Sequence, residues 1–539
     1  LCTIQKKQPL AEAYVQHFHN VERLYTYDPN DPMLWEKRAS WLDVKRSFYA
    51  DRQELISHLH RYNQKVGMST ETVANLERLK SPESLVIVGG QQAGLFTGPL
   101  LVIYKAITII QAAREAERKL GRPVIPLFWI AGEDHDWEEV NHTYMLTPQH
   151  DIERIRLEAQ GAGRRSVSRT SVADWQPVIA QLDDSLIPTE FKGPLVERLR
   201  AFADQSNTLV DLFARLMAWL FGHYGLVLLD SDDSGLRAIE APMFRKLLDH
   251  HERLHAAFLA ARDSVTTLGF EASTEVPERA VNLFIFDEQG ERILLHPRDA
   301  NTFQDRKGHR QFQLNELLEW SEHAPERFSN NVLTRPLMQD YLLPTLGVVL
   351  GPGELAYWAL TNSAFEEMGM QMPPLIPRQE YTLIEAAVDK HMVKFGLTLS
   401  DVIDDFEDKR NNWLRQQDTL QLDDRFRSVR GSFVQDYESL ISILSDMNPA
   451  IGKLGHTNLQ KIVEQIDFLH KKATDAHNMQ FEGALRHWER IQRSLMPNGK
   501  LQERVYNIFY YLNKYGDSWL HELVETNFET SAPHRVVYL

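Results

Sequence analysis

Four short apolar runs, each ended by glycine or by acids, constrain this chain more than any other feature. LVIVGG (85–90), PVIPLFWIAG (123–132), GLVLLDSDD (225–233) and TLGVVLGPG (345–353) are short, continuous and bounded by turn residues. Such runs read as strands buried on both faces of a sheet. After the first run, Gly98-Pro99 opens a helix with proline at its start, and Gly121 and Pro123 stop it after Leu120. Strand, turn, helix and strand make a βαβ unit, the building block of a doubly wound parallel sheet. A long helix from about Leu195 leads into the third run. NLFIFDEQGERILLHP (282–297) reads as a hairpin around Gln289-Gly290, and PPLIP (373–377) as a last short strand. The expected fold is α/β: a Rossmann-like core over 81–380 with insertions at about 150–220 and 236–330. A helical segment, 1–80, packs on it, and a helix within 501–539 returns to it.

Between these lies 381–500, where the character changes to long helices. Leu459, Ile462, Ile466, Leu469, Ala473 and Ala476 recur at spacings of three and four. After a slip, Phe481, Ala484, Trp488, Ile491 and Leu495 continue the pattern. This is the signature of an antiparallel coiled-coil arm whose other limb lies at about 382–447.

Charge narrows the function. Fifty-nine lysines and arginines against 75 acids give a net charge of −16, a surface that repels nucleic acid and anionic lipid. The single cysteine, Cys2, excludes an internal disulfide and a cysteine-rich zinc site and fits a reducing cytoplasm. The most apolar stretch, PLLVIYKAITII, is too short to span a membrane and carries Lys105 in its middle.

Four segments are candidates to carry chemistry. In GGQQAGLFTGP, glycines let the backbone approach a ligand, and Gly90, Gln91, Gln92, Thr97 and Gly98 are expected to bind substrate at a strand's carboxyl end. The helix that starts at Pro99 is expected to offer its N–H groups to an anion. In AGEDHDWEEVNH, Glu133, Asp134 and Asp136 flank His135 just beyond an apolar strand, with Asn141 as a further substrate contact. An acid–imidazole cluster of this kind suits general acid/base work, a Mg²⁺ site or recognition of an ammonium group. GPGELA, with Gly351, Gly353 and Glu354, fits G-x-G-x-x-A but lacks the acid that dinucleotide binding requires, so it reads as a turn at a nucleotide or substrate pocket. Lys500 and Arg504, beside interleaved tyrosines, are candidates to grip a nucleotide. His251 and His255, one helical turn apart, lack an acid-bearing motif and are not expected to hold a metal.

Taken together, VIVGGQQAGLFTGPLLVIYKA, PLFWIAGEDHDWEEVNH, GVVLGPGELAYWAL and LQERVYNIFYYL resemble the bacillithiol biosynthesis cysteine-adding enzymes over essentially the whole chain. The resemblance implies a core like that of class I aminoacyl-tRNA synthetases and nucleotidyltransferases, with connecting-peptide insertions and a coiled coil that forms a homodimer. It implies a cytoplasmic ligase joining the carboxyl of cysteine to the amine of glucosaminyl-malate, driven by ATP with Mg²⁺, with no nucleic-acid or membrane partner. Glu133, Asp134, His135 and Asp136 would be catalytic; Gly351, Gly353, Glu354, Arg378, Lys500 and Arg504 would bind the nucleotide. Where the synthetases carry H-I-G-H, this chain has Gln91 to Gly98 without a histidine, and only Arg378 stands near the place of their K-M-S-K-S loop. The alternative is a nucleotide-binding scaffold whose coiled coil is the working part.

Overall fold

The structure is a computed structural model that describes residues 4, 6–45, 50–158, 164–417, 421–530 and 533–539. Cys2 lies outside them. The chain divides into two compact units, one formed by 1–383 with 502–537 and the other by 384–501.

The apolar runs form one five-stranded sheet in the first unit. Its strands are β1 (Leu85–Gln91), β2 (Val124–Ile130), β3 (Val227–Asp230), β4 (Thr345–Leu350) and β5 (Leu375–Pro377). Their order across the sheet is β5-β4-β1-β2-β3, and every pairing is parallel. The chain therefore winds outward from β1 in one direction to β3, then crosses back to lay β4 on the other side of β1. This Rossmann-like order puts the reversal point between β1 and β4, where open α/β sheets hold ligands. Every residue of β2 is buried. The helix α1 (Leu100–Leu120) follows β1 and ends on Gly121, whose φ of 64° is the left-handed cap that glycine adopts without strain. The 131–226 segment lies between β2 and β3, and 231–344 between β3 and β4.

The helix expected from about Leu195 is two helices, Lys192–Ala203 and Leu209–Phe221. Thr208 accounts for the break, because its side chain accepts the Asp211 N–H and so starts a new helix. Helix Ile508–Tyr515 is buried in this first unit: Asn513 accepts the Thr189 hydroxyl, and Phe509 packs on Phe96.

In the second unit, α2 (Leu422–Met447) and α3 (Pro449–Met479) run antiparallel through the single residue Asn448, whose side chain caps α3. They are joined along their length by Tyr437–Asn458, Arg430–Asp467 and Asp423–His470 contacts. The seam differs from the expected one. Leu459 is buried and Ile462, Ile466 and Ala473 are half-buried, but Leu469 and Ala476 face solvent, while His477 is buried. Gly452 and Gly455 let α2 approach closely, since a Cβ on Gly455 would lie 2.9 Å from Ile441 Cγ1. Leu440, Ile443 and Met447, spaced three and four apart on α2, are all exposed. At the base of the arm, Trp488 of α4 (Glu482–Leu495) is buried among Phe395, Phe406 and Trp413.

Among the described residues, no helix is long and apolar enough to cross a membrane.

Candidate functional site

Because the strands themselves are apolar, the first polar residues of each connection gather along one edge of the sheet. At the end of β1 stand Gly90, Gln91 and Gln92; after β2 come Glu133 to Asp136; Asp230 closes β3, followed by Asp232; Gly351 and Glu354 follow β4.

Glu133 is buried, and one of its carboxylate oxygens, Oε2, takes three hydrogen bonds. It accepts hydrogen bonds from Arg237 (2.8 Å), the Ser329 hydroxyl (2.8 Å) and the Asn330 N–H (3.1 Å). Burial works to raise its pKa, but Arg237, Arg292 and these bonds hold it below the ordinary carboxylate range. Arg237 also pairs with Glu240 and Asp232. Glu133 thus ties the end of β2 to the insertion between β3 and β4. Burial pushes Glu240 up to about 8, against the pull of Arg237.

Asp134 and His135 are half-buried. Asp134 accepts the His135 N–H (2.7 Å) and the Gln92 amide (2.5 Å), which also donates to Glu139 (3.0 Å). The His135 ring lies between two guanidinium groups, with Arg164 Nη2 2.7 Å from Nε2 and Arg292 Nη1 3.3 Å from Nδ1. Burial, then Arg292 and Arg164, lower its pKa, so the imidazole is neutral at neutral pH. A neutral imidazole has one acceptor nitrogen, so only one guanidinium is satisfied by the ring. Arg292 is buried over the Phe284 ring and held by Ser329 and the Asn330 carbonyl; Arg164 is exposed.

Asp136 is exposed and caps the short helix Trp137–Val140 by accepting the Glu139 N–H (3.2 Å). Asn141 is buried, with its Oδ1 3.2 Å from His142 Nδ1. At β3, Asp230 accepts the Ser168 hydroxyl (2.8 Å) and the Asp232 N–H (3.1 Å). Burial and the neighbouring Asp232 push it up to about 7. Gly132 makes this packing possible, since a Cβ there would collide with Ser168 and Asp230.

Thr97 and Gly98 are buried beneath the C-terminal segment. Asn507 donates to the carbonyls of Phe96 (2.8 Å) and Gly98 (2.9 Å), and the Leu100 N–H at the start of α1 donates to the Tyr506 carbonyl (2.9 Å). The expected anion position at that helix start is therefore covered by protein. Phe96 and Thr97 have φ of 52° and 80°, a strained conformation for non-glycine residues and most of all for a β-branched one. Asn507 is what over-determines it.

On the other side of β1, Lys105 of α1 is buried and donates to Gly90 O (2.7 Å), Gln91 Oε1 (2.8 Å) and Glu354 Oε2 (2.5 Å). Glu354 also accepts the Gly351 N–H (2.8 Å). Arg378 is buried and held in a two-point pair with Glu503 (2.9 and 2.6 Å). Gly353 stands in the first turn of the helix Pro352–Trp358, Arg504 is exposed, and Lys500 belongs to the second unit.

The structure thus brings Gln92, Asp134 and His135 together and adds Glu139, Arg164 and Arg292 to them. Lys105 had a visible signal, a charge inside an apolar helix. Arg164 and Arg292 had none, being single cations far off in sequence.

Two family models cover the chain: the Bacillithiol biosynthesis BshC N-terminal Rossmann-like domain matches 2–379, and the BshC C-terminal coiled-coil domain matches 381–539. The chain belongs to the BshC family. "Putative cysteine ligase BshC" of Geobacillus sp. (strain WCH70) is 37% identical over 98% of both chains. That of Symbiobacterium thermophilum is 37% identical over 98% of this chain and 97% of its own. That of Geobacillus kaustophilus is 35% identical over 98% of both. A solved arginyl-tRNA synthetase structure from Campylobacter jejuni covers 81% of this chain and 99% of its own at 10% identity; its TM-score of 0.19 carries no argument. This BshC-family chain therefore has a Rossmann-like core and a coiled-coil domain as its two parts.

Proposed function

We propose that the chain catalyses the last step of bacillithiol biosynthesis, joining the carboxyl of L-cysteine to the amine of glucosaminyl-malate. The observation that carries the reading is the neutral imidazole of His135 set among Asp134, Arg164 and Arg292 at the carboxyl edge of the sheet. Amide formation from a free carboxylate needs activation, which ATP supplies by transferring to the cysteine carboxyl either an adenylyl group, releasing pyrophosphate, or a phosphoryl group, releasing ADP. The amine nitrogen then attacks that carbonyl carbon, the C–N bond forms, and the bond to AMP or phosphate breaks. The attacking amine must lose a proton, and His135 is the acceptor within the cluster. Asp134 and Glu139 hold the amine in place, and Arg164 and Arg292 face the malate carboxylates.

Among the described residues, no three histidine, cysteine or acidic side chains converge as a metal site. We assign Mg²⁺ to the nucleotide phosphates, which with water supply most of its ligands. We also assign homodimerisation to the coiled coil, on the strength of exposed Leu440, Ile443 and Met447.

The test is a reaction of purified protein with ATP, Mg²⁺, cysteine and glucosaminyl-malate, following thiol product and nucleotide together. Product with AMP supports an acyl-adenylate, and product with ADP an acyl-phosphate. Folded protein that yields neither product nor nucleotide turnover refutes the ligase reading.

A further inference from the structure

We propose that Lys105 is a positioning residue of this site: it orients Gln91 so that the amide N–H groups meet the substrate, and so makes the reversal point of the sheet selective for a carboxylate or phosphoryl oxygen. The inference rests on the ligase reading and deepens it by naming what the β1–β4 side of the site recognises.

Burying a lysine in α1 is costly, because the residues around it from Leu100 to Ala116 are almost all buried and apolar. A methionine would fill the space without that penalty. The ammonium is saturated: it has three N–H donors and no acceptor, and Gly90 O, Gln91 Oε1 and Glu354 Oε2 take all three. Burial works to lower its pKa, while Glu354 opposes this. These contacts join the end of β1 to the turn after β4, across the point where the strand order reverses.

The consequence for Gln91 follows from donor–acceptor chemistry. An ammonium accepts nothing, so the amide must turn its oxygen to Lys105 and its nitrogen away. Gln91 is half-buried, and its Nε2 has no partner among the described residues. Gln92 is fixed in the opposite sense. Its nitrogen donates to the carboxylates of Asp134 and Glu139, which leaves its oxygen as the unengaged end. Two consecutive glutamines, nearly symmetric in isolation, are thus set with opposite polarity by charged neighbours. Gln91 offers donors to an oxygen of the ligand, and Gln92 offers an acceptor to a hydroxyl or amine.

The oxygen at Gln91 comes from either a substrate carboxylate or the nucleotide phosphates, and one experiment separates them. Binding of cysteine, glucosaminyl-malate and Mg–ATP is measured singly by calorimetry on the full chain, for wild type, Gln91→Glu, Lys105→Met and the double variant. Gln91→Glu keeps a partner for Lys105 and therefore the fold, but it presents an anionic acceptor where the amide donated. We expect it to weaken binding of one probe about tenfold or more, with its Tm unchanged and the other two probes unaffected. Lys105→Met should weaken the same probe, and the double variant should be no worse than the weaker single variant, because both act through one contact. Loss confined to Mg–ATP assigns the phosphates; loss confined to cysteine or glucosaminyl-malate assigns that carboxylate. A Gln91→Glu or folded Lys105→Met protein that binds all three probes as wild type does overturns the positioning role. A folded wild type that binds none of the three overturns the ligase reading and takes this inference with it.

Discussion

Replacing Asp230 by asparagine tests whether the edge of the sheet beside the candidate site carries a buried, protonated carboxyl. The folded protein holds this carboxyl at about 7 against 3.8 for the free group, a gap worth ~4 kcal/mol. Because the folded-state value is raised, the contribution to stability is complete below pH 3.8, falls as the pH rises, and is gone above about 7. Asparagine does not titrate, keeps an acceptor for the Asp232 N–H and can donate to Ser168. The variant's stability relative to wild type should therefore climb by ~1.4 kcal/mol per pH unit up to neutrality and then level off. For a unit of roughly 400 residues the unfolding entropy is about 0.8 kcal/mol/K. The Tm difference, variant minus wild type, should then rise by about 3 °C between pH 5 and pH 8. Scanning calorimetry of both proteins across that range is the assay. A difference that stays constant to within about 1 °C means that Asp230 is ionised throughout, and the argument from burial is wrong.

Other consequences can be checked alongside. His135→Asn should lower the ligase rate by about 10²–10⁴-fold, and wild-type activity should fall as the pH drops through a pKa below 6.5, as the imidazole gains its proton; steady-state rates between pH 5 and 8 decide both. Glu133→Ala should destabilise the first unit by ~1–3 kcal/mol by taking the acceptor from the buried Asn330 N–H and Ser329 hydroxyl, since Arg237 keeps Glu240 and Asp232, whereas Asp134→Asn should reduce activity with little change in Tm. Asn507→Ala should free the loop carrying Phe96 and Thr97 and speed its backbone hydrogen exchange, while Thr97→Gly should raise stability by ~1 kcal/mol in urea unfolding by relieving a positive φ. Ile443→Asp on the exposed stripe of α2 should shift a dimer to monomer in sedimentation, with helix content unchanged by circular dichroism.

The sheet was legible because its strands are buried on both faces, so each prints as a continuous apolar run whatever surrounds it. Helix α1 was legible to the residue, since Pro99 and Gly121 mark its two ends. The coiled-coil register was less so. The apolar spacing put Leu469 and Ala476 in the seam, but there the inward positions are His470 and His477, one residue over, while Leu459, Ile462, Ile466 and Ala473 keep theirs. The site was visible in outline, as acids around a histidine beyond a strand, but sequence proximity does not separate roles. Glu133, Asp134 and Asp136 are neighbours in the chain, yet one is buried under Arg237, one meets Gln92 and one caps a helix. Likewise the start of α1 read as open to an anion because nothing local shows that residues 506 and 507 return to cover it.

That return makes order of synthesis matter. The ribosome makes about 5–20 residues per second. Loop 94–98 leaves it some 400 residues before Asn507, so about 20 s or more passes before the side chain that holds the loop exists. For the last ~130 residues of that interval, about 6 s or more, all five strands have been made but the edge they end on is unfinished. A chaperone that shields this edge until the coiled coil has been made and the last forty residues arrive would protect the chain when it is most exposed to misassembly.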